Sequence, residues 1–217
     1  MSQPMFMLLL KASGETVSMV VVSGLIGHLL GLPLGICLYL TAPGRIREHP
    51  LLHRILGLGV NVGRSVPFII LLVAIIPFTR ILVGTFIGTA AAIVPLAVGA
   101  VPFVARLVDG ALLEVPGALV EAASSLGARP VQIVWRVLLP EALPGLCNGA
   151  TITLIALVGY SAMAGAVGGG GLGDLGIRYG YQRFDGTVMA AVVLVLVALV
   201  QLIQTVGDRV VRAVDHR

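Results

Sequence analysis

VSMVVVSGLIGHLLGLPLGICLYLTAPG, residues 17–44, is the stretch that decides the fold, because His28 is its only acidic or basic side chain. A charge near the centre of a bilayer costs at least about 2.5–3.5 kcal/mol, so long stretches without charge are candidate membrane spans. A helix needs about 20 residues to cross about 30 Å of hydrocarbon. This stretch is longer than that, and it predicts a transmembrane helix.

Four more spans follow from the same reasoning. Three stretches without acidic or basic side chains lie between Arg80 and Arg106, between Glu141 and Asp174, and between Asp185 and Asp208. A shorter apolar stretch ends at Thr79, and we extend it back across Arg64, with Pro67 and Pro77 shaping its ends or kinking it. The predicted spans are 17–41, 57–79, 84–106, 142–166 and 186–207. The sequence therefore predicts an all-α membrane protein with five transmembrane helices.

Composition excludes several classes of function. Hydrophobic residues make up 58% of the chain and charged residues 11%, against about 45–50% and about 25% in soluble domains. A soluble enzyme is excluded on this ground. The arginines form no dense basic stripe, which argues against nucleic-acid binding. Lys11 is the only lysine and lies in no phosphate-binding loop, so any ATP chemistry must belong to a partner.

The distribution of basic residues predicts the orientation. An odd number of spans places the two termini on opposite sides of the membrane. With the N-terminus outside, only four of the 14 basic residues lie outside: Lys11, Arg80, Arg178 and Arg183. The N-terminal segment (1–12) is then expected outside, the transmembrane domain at 13–208, and the tail (209–217) in the cytoplasm.

Residues 115–140, here called the EAA segment, form the one sizeable predicted feature on the cytoplasmic side. Gly127 suits the end of a first helix and Pro130 the first turn of a second. Apolar residues recur at helical spacing on both predicted helices: Leu119, Val120, Ala123 and Leu126 on the first, and Val131, Val134 and Leu138 on the second. Each helix is expected to have one apolar face, covered by a partner protein or by the chain's own membrane ends.

EAASSLGARPVQIVWRVLLPEALPG, residues 121–145, resembles the EAA loop of bacterial ABC import permeases. The family pattern is EAA, three residues, Gly, nine residues, then Ile-x-Leu-Pro, and Val137 replaces the Ile here. The resemblance implies a type I ABC importer permease whose cytoplasmic coupling helix docks into a groove of an ATPase subunit. It assigns coupling to six positions: Glu121, Ala122, Ala123, Gly127, Leu139 and Pro140.

Other stretches resemble the methionine-uptake permeases of that superfamily. They are SQPM near the N-terminus and residues 63–80, 91–106 and 150–173. The resemblance implies a homodimer in the bacterial inner membrane, two ATPase subunits that hold ATP and Mg, and an extracytoplasmic methionine-binding lipoprotein. This chain would then bind no cofactor and catalyse no reaction. Two alternatives stay open: another cargo such as a sulfonate, phosphonate or betaine, or a passive channel or membrane scaffold.

Candidates for the translocation path lie mainly on the fourth span. Asn148, Thr151, Ile155, Gly159 and Met163 recur at three or four residues and are predicted to share a helical face, with Met163 as a gate. Interhelical hydrogen bonding and packing are the alternatives for these side chains. Arg64 and Ser65 are expected at the cytoplasmic mouth of the second span, where Arg64 either lines the inner gate or reaches towards the interface.

Several remaining side chains are predicted to have structural roles. His28 is expected to bond to a neighbouring helix, and Tyr160 to make an interfacial or helix–helix contact. Arg106 and Asp109 are predicted to be interfacial and either paired or solvated. The cysteines, Cys37 and Cys147, are predicted to be packing residues without a metal site.

Overall fold

Residues 3–215 are described by the computed structural model, and they form ten α-helices and two π-helical segments. The α-helices are α1 (Gln3–Thr41), α2 (Pro50–Ser65), α3 (Phe68–Ala74), α4 (Ile76–Val83), α5 (Thr89–Leu113), α6 (Gly117–Ser125), α7 (Pro130–Ile133), α8 (Leu139–Ala166), α9 (Gly171–Leu175) and α10 (Gly186–Val214). The π-helical segments are Val134–Leu138 and Gly176–Tyr181. Met1, Ser2, His216 and Arg217, at the limits of the predicted N-terminal segment and tail, lie outside the described residues.

Four helices of the described chain are long and apolar enough to cross a membrane: α1, α5, α10 and the continuous helix Pro130–Ala166. The bent pair α2 with α3 makes a fifth span only if it is counted as one broken span. α1 begins at Gln3, so the predicted separate N-terminal segment is helical from there on, and α10 continues to Val214 through most of the predicted tail. The predicted spans stop at charged residues, but a charged residue does not end a helix. Lys11 and Glu15, for example, both lie within α1 and form an i,i+4 pair at 3.9 Å.

The second predicted span is not continuous, and the break falls at Pro67, one of the two prolines predicted to kink it or to shape its ends. α2 and α3 meet at an angle of 100°. Pro67 has no backbone N–H and disfavours helical conformation at the residue before it. Val66 accordingly has extended backbone, with φ −79° and ψ 122°. The chain therefore turns sharply between Ser65 and Phe68 instead of crossing in one helix.

α5 lies at the centre of the fold and packs along α1. The Gly27, Gly31 and Gly35 repeat on α1 faces α5, and a Cβ added at Gly31 would lie 2.7 Å from the Val104 Cβ. A Cβ at Gly35 would lie 2.5 Å from the Ala105 carbonyl oxygen. Such distances require glycine, so the small-residue face permits close helix packing, as the four-residue repeat predicts.

The sequence predicts a separate short second helix in the EAA segment, and this prediction is wrong. α7, the π-helical segment and α8 form one continuous helix, Pro130–Ala166. The Leu139 N–H donates to the Val134 carbonyl, five residues back, where an α-helix would use four. Pro140, which lacks an N–H, follows this wider turn and stays helical. The EAA segment is therefore joined to a membrane-length helix without a break.

The glycine-rich stretch after α8 is more ordered than the predicted loop, because it contains α9 and the second π-helical segment. The Gly171 N–H donates to Glu15 Oε2 at 2.8 Å, and the Leu172 N–H donates to Thr16 Oγ1 at 2.9 Å. α8 separates residues 167–185, here called the glycine-rich end, from the EAA segment. The other end of the bundle is called the EAA end.

Candidate functional site

α6 ends in a Schellman motif at Gly127, where the sequence predicts the end of the first helix. Gly127 has φ +77°, a left-handed conformation that glycine adopts without a Cβ clash. Its N–H donates to the Ser124 carbonyl at 2.9 Å, and the Ala128 N–H donates to the Ala123 carbonyl at 3.1 Å. The structure thus confirms Gly127 as the end of the first helix.

The single apolar face predicted for each helix of the EAA segment is wrong. Val120 and Ala123 pack on a core cluster of α5 and α8. Leu126 is 88% exposed, because it follows the last turn of α6. Val134 and Leu138 are buried, whereas Val131 and Trp135 are exposed. Four apolar side chains, Leu119, Leu126, Val131 and Trp135, are therefore exposed at the EAA end, and they are called the EAA surface.

Of the six positions assigned to coupling, some are exposed near the EAA surface and the others are half-buried behind it. Glu121 and Ala122 are exposed on α6, and Gly127 is exposed at the turn. Ala123 and Leu139 are half-buried against the same core cluster. Pro140 is exposed in the first turn of α8. A partner protein would therefore meet an exposed carboxylate and exposed apolar side chains. The opposite side of α6 packs against the core cluster.

One face of α8 is open along its length. Asn148, Gly159 and Met163 are exposed, Ile155 is half-buried, and nothing lies within 4 Å of a Cβ added at Gly159. Four of the five residues predicted to share a face do share it. They form, with Ile152, what is here called the open face of α8: Asn148, Ile152, Ile155, Gly159 and Met163.

Thr151 lies away from this open face. It is 6% exposed, and its hydroxyl donates to the Cys147 carbonyl at 3.0 Å. A Cβ added at Gly207 of α10 would overlap the Thr151 side chain. Thr151 therefore occupies a close contact between α8 and α10.

The sequence predicts Arg64 and Ser65 at the cytoplasmic mouth of the second span. The structure places them at mid-depth in the bundle instead. A Cβ added at Gly63 would contact Pro102 Cγ at 3.0 Å, and Pro102 lies near the middle of α5. α2 therefore stops halfway along its neighbour. Both side chains are exposed at this break, and the Ser65 hydroxyl donates to the Asn61 carbonyl of its own helix at 2.8 Å.

A cleft of about 150 Å³ opens at this break. The sequence reasoning missed it, although the i,i+4 spacing of Gly99 and Phe103 on α5 signals a shared face. Tyr160 stacks on Phe68, with ring centroids 4.7 Å apart and planes 12° apart, which confirms Tyr160 as a helix–helix contact. The cleft is lined by residues of four helices and the α2–α3 turn: Gly63, Arg64, Val66, Phe68, Leu71, Gly99, Phe103 and Tyr160.

The other singled-out side chains make local contacts. His28 Nδ1 lies 2.8 Å from the Gly24 carbonyl, so it bonds to its own helix and not to a neighbour. Arg106 pairs with the buried Asp109 at 3.0 Å, which confirms the predicted pairing. Cys37 is exposed and does not pack inside this chain, contrary to prediction. Within residues 3–215, no group of three or more metal-ligating side chains is found.

The glycine-rich end carries an ion pair between Asp174 and Arg178. The hydrogen bond and charge of Asp174 raise the pKa of the Arg178 guanidinium above its usual value. The Arg178 guanidinium is charged at every physiological pH. Near it, Arg183 lies over the Tyr179 ring at 4.4 Å.

Comparison with known proteins extends these observations. A family model described as a binding-protein-dependent transport system inner membrane component matches residues 31–217. A probable D-methionine transport system permease protein, MetI, from Vibrio cholerae is 60% identical over 97% of this chain and 93% of its own length. The D-methionine transport system permease protein MetI of Escherichia coli K12 is 59% identical over 100% of both chains.

Solved structures show the same fold. A chain of the MetNI methionine ABC transporter, from a structure of its inward-facing conformations, matches with a TM-score of 0.98 and 59% identity over 100% of both chains. A chain of an amino acid ABC transporter crystallised with histidines has a TM-score of 0.79 over 95% of this chain and 94% of its own, but its 16% identity shows the fold alone. The expected type I ABC importer permease fold is confirmed. This chain belongs to the family of binding-protein-dependent transport system inner membrane components.

Proposed function

We propose that this chain is the permease subunit of an ATP-driven importer that moves methionine across the bacterial cytoplasmic membrane. The observation that carries this proposal is the EAA surface, which is exposed and whose Val131 and Trp135 lie on the continuous helix Pro130–Ala166. The choice of methionine is supported by relatives at 59–60% identity that are described as D-methionine transport permeases. ATP and Mg belong to a separate ATPase subunit in this proposal.

The assembly contains two copies of this chain, two ATPase subunits and an extracytoplasmic methionine-binding lipoprotein. The open face of α8 supports a second copy, because Gly159 leaves room for a neighbouring backbone to approach. The cargo would pass between the copies, with Met163 at the gate and Asn148 on the same face.

The EAA end faces the cytoplasm in this proposal, and the N-terminus faces the periplasm. The support is the distribution of basic residues, because the few expected outside include Arg178 and Arg183 at the glycine-rich end. Reporter fusions at the two termini test this orientation. A periplasmic N-terminus and a cytoplasmic C-terminus are expected, and the reverse result contradicts the proposal.

Coupling follows from the continuity of Pro130–Ala166. Closure of the ATPase pair on ATP would push Glu121 and the rest of α6. Because α6 packs through Val120 and Ala123 on the core cluster, and Leu138 of that cluster is part of the continuous helix, the push is passed to α8. The open face of α8 then moves relative to the second copy.

Uptake of labelled methionine in a strain that lacks the gene tests the function. The expected result is a loss of high-affinity uptake that is restored by the wild-type gene. Unlabelled sulfonate, phosphonate and betaine are the competitors, and none is expected to reduce methionine uptake. Unchanged uptake in the deletion strain contradicts methionine as the cargo, and purification without any ATPase subunit favours a channel or scaffold.

A further inference from the structure

Arg64 is a charged side chain at mid-depth in an apolar bundle. α5 has 25 residues, and the contact of Gly63 with Pro102 places the end of α2 near its centre. At about 1.5 Å per residue, Pro102 lies about 20 Å from the Thr89 end and about 17 Å from the Leu113 end. A charge at that depth is tolerated only where it faces a water-filled cavity or an opposite charge.

No opposite charge within residues 3–215 meets Arg64. The ion pairs seen within residues 3–215 include Lys11 with Glu15, Arg106 with Asp109, and Arg178 with Asp174, and none of these involves Arg64. The lining of the cleft, drawn from the same residues, contains no acidic side chain. Arg64 is exposed and donates to no acceptor in the described part of the chain. Its guanidinium therefore lines the cleft without a charged or hydrogen-bonding partner among residues 3–215.

Apart from Arg64, the cleft is lined by glycine, aliphatic and aromatic residues. Phe68, Phe103 and Tyr160 supply three aromatic rings within one cleft. Gly99 lies against the Phe68 ring, since a Cβ at that position would make an ordinary van der Waals contact of 3.7 Å with Phe68 Cδ2. Aromatic rings bind thioether and aliphatic groups, and sulfur–aromatic contacts are favourable. One cation beside an aromatic wall matches a small carboxylate with an apolar side chain.

We propose that Arg64 binds the carboxylate of the cargo inside the membrane, while the side chain of the cargo lies against Phe68, Phe103 and Tyr160. This inference rests on the proposed transport function and adds a binding site within the permease itself. The arginine fork binds both carboxylate oxygens, a geometry that the point charge of lysine does not reproduce. Entry of the cargo would then balance the Arg64 charge at the depth where its isolation costs most.

Uptake by the reconstituted importer tests the role of Arg64. The assay uses proteoliposomes with the ATPase subunits, the binding protein and labelled methionine. Arg64→Gln is expected to lower uptake by about 10- to 100-fold, because a charge-assisted hydrogen bond is lost, and Arg64→Lys is expected to retain an intermediate rate. Co-purification of the ATPase in wild-type proportion verifies that each variant assembles. Arg54→Gln is the matched control, since it removes an exposed charge from the EAA end of the same helix.

Equilibrium binding separates recognition of the carboxylate from a general effect on transport. The purified permease–ATPase complex, without binding protein, is titrated with labelled methionine against two competitors. Desamino-methionine keeps the carboxylate and is expected to compete, whereas methioninamide lacks that charge and is expected not to compete. Equal competition by both compounds, or equal binding of methionine by Arg64→Gln and wild type, overturns the proposed site.

The two proposals fail in different ways. If the wild-type importer takes up no methionine, the proposed function is wrong. If wild type takes up methionine and Arg64→Gln does so at the same rate, only the Arg64 site is wrong. The site is also overturned if Arg54→Gln lowers uptake as much as Arg64→Gln does. The loss would then follow from removing any positive charge from α2, and not from the position of Arg64.

Discussion

Glu15 of α1 accepts a hydrogen bond from the backbone N–H of Gly171, 156 residues later in the chain, at 2.8 Å. Gly171 has φ +75°, so the turn that presents this N–H requires glycine. One residue further on, the Leu172 N–H donates to Thr16. Two adjacent side chains of α1 thus hold the start of α9 and close the glycine-rich end of the bundle.

Thr16→Val is expected to destabilise this end. Thr16 is 1% exposed, so the variant keeps the shape of the side chain but leaves the buried Leu172 N–H without its acceptor, at a cost of about 1–3 kcal/mol. A lower unfolding temperature of the purified complex is the expected measurement. Ser18→Ala is the control, because the Ser18 hydroxyl is exposed and bonds only to its own helix. Equal unfolding temperatures of Thr16→Val and Ser18→Ala would contradict the assigned role.

Gly31→Ala is expected to reduce stability, although alanine favours helices. The new Cβ would lie 2.7 Å from Val104 Cβ, so α1 and α5 must separate. Gly59→Ala on α2 has nothing within 4 Å and should be neutral or stabilising by up to about 1 kcal/mol. Thermal unfolding of both variants in the same detergent gives the comparison. A Gly31→Ala protein as stable as Gly59→Ala would show that the close helix contact is absent.

Leu126→Asp is expected to weaken binding of the ATPase subunit by about tenfold or more, because it places a charge in the centre of the EAA surface. Phe184→Asp is the matched control, since Phe184 is also 88% exposed but lies at the glycine-rich end. Co-purification of the ATPase with each tagged variant measures the effect. The proposed docking surface is wrong if both variants retain the ATPase equally, or if only Phe184→Asp loses it.

Cysteine cross-linking should distinguish the open face of α8 from its packed side. In a background with Cys37→Ala and Cys147→Ala, Met163→Cys is expected to form cross-linked dimers with a short thiol reagent. Thr151→Cys should not cross-link, because that side chain packs against Gly207. SDS gel electrophoresis without reductant measures the dimer. Failure of Met163→Cys to cross-link would place the open face in lipid and argue against the proposed second copy.

Much of the open face of α8 can be predicted from the sequence, and the wrong placement of Thr151 on that face has a simple cause. At about 100° per residue, Ile152 lies about 40° around the helix from Asn148, on the same side as Gly159 and Met163, whereas Thr151 lies about 60° on the other side. The polarity of Thr151 favoured it as a path residue. Its hydroxyl is satisfied by the Cys147 carbonyl, so polarity alone does not indicate an open face.

The sequence by itself determined the all-helical membrane class, the glycine face of α1 and the end of α6 at Gly127, because hydropathy, helical spacing and left-handed backbone are properties of local residues. Only the tertiary structure decided that α2 stops at mid-depth, that Val120 and Ala123 turn inward, and that Arg64 shares a cleft with Phe103 and Tyr160. These features depend on which helices meet and at what depth. Packing between residues far apart in the chain sets that depth, and no local pattern records it.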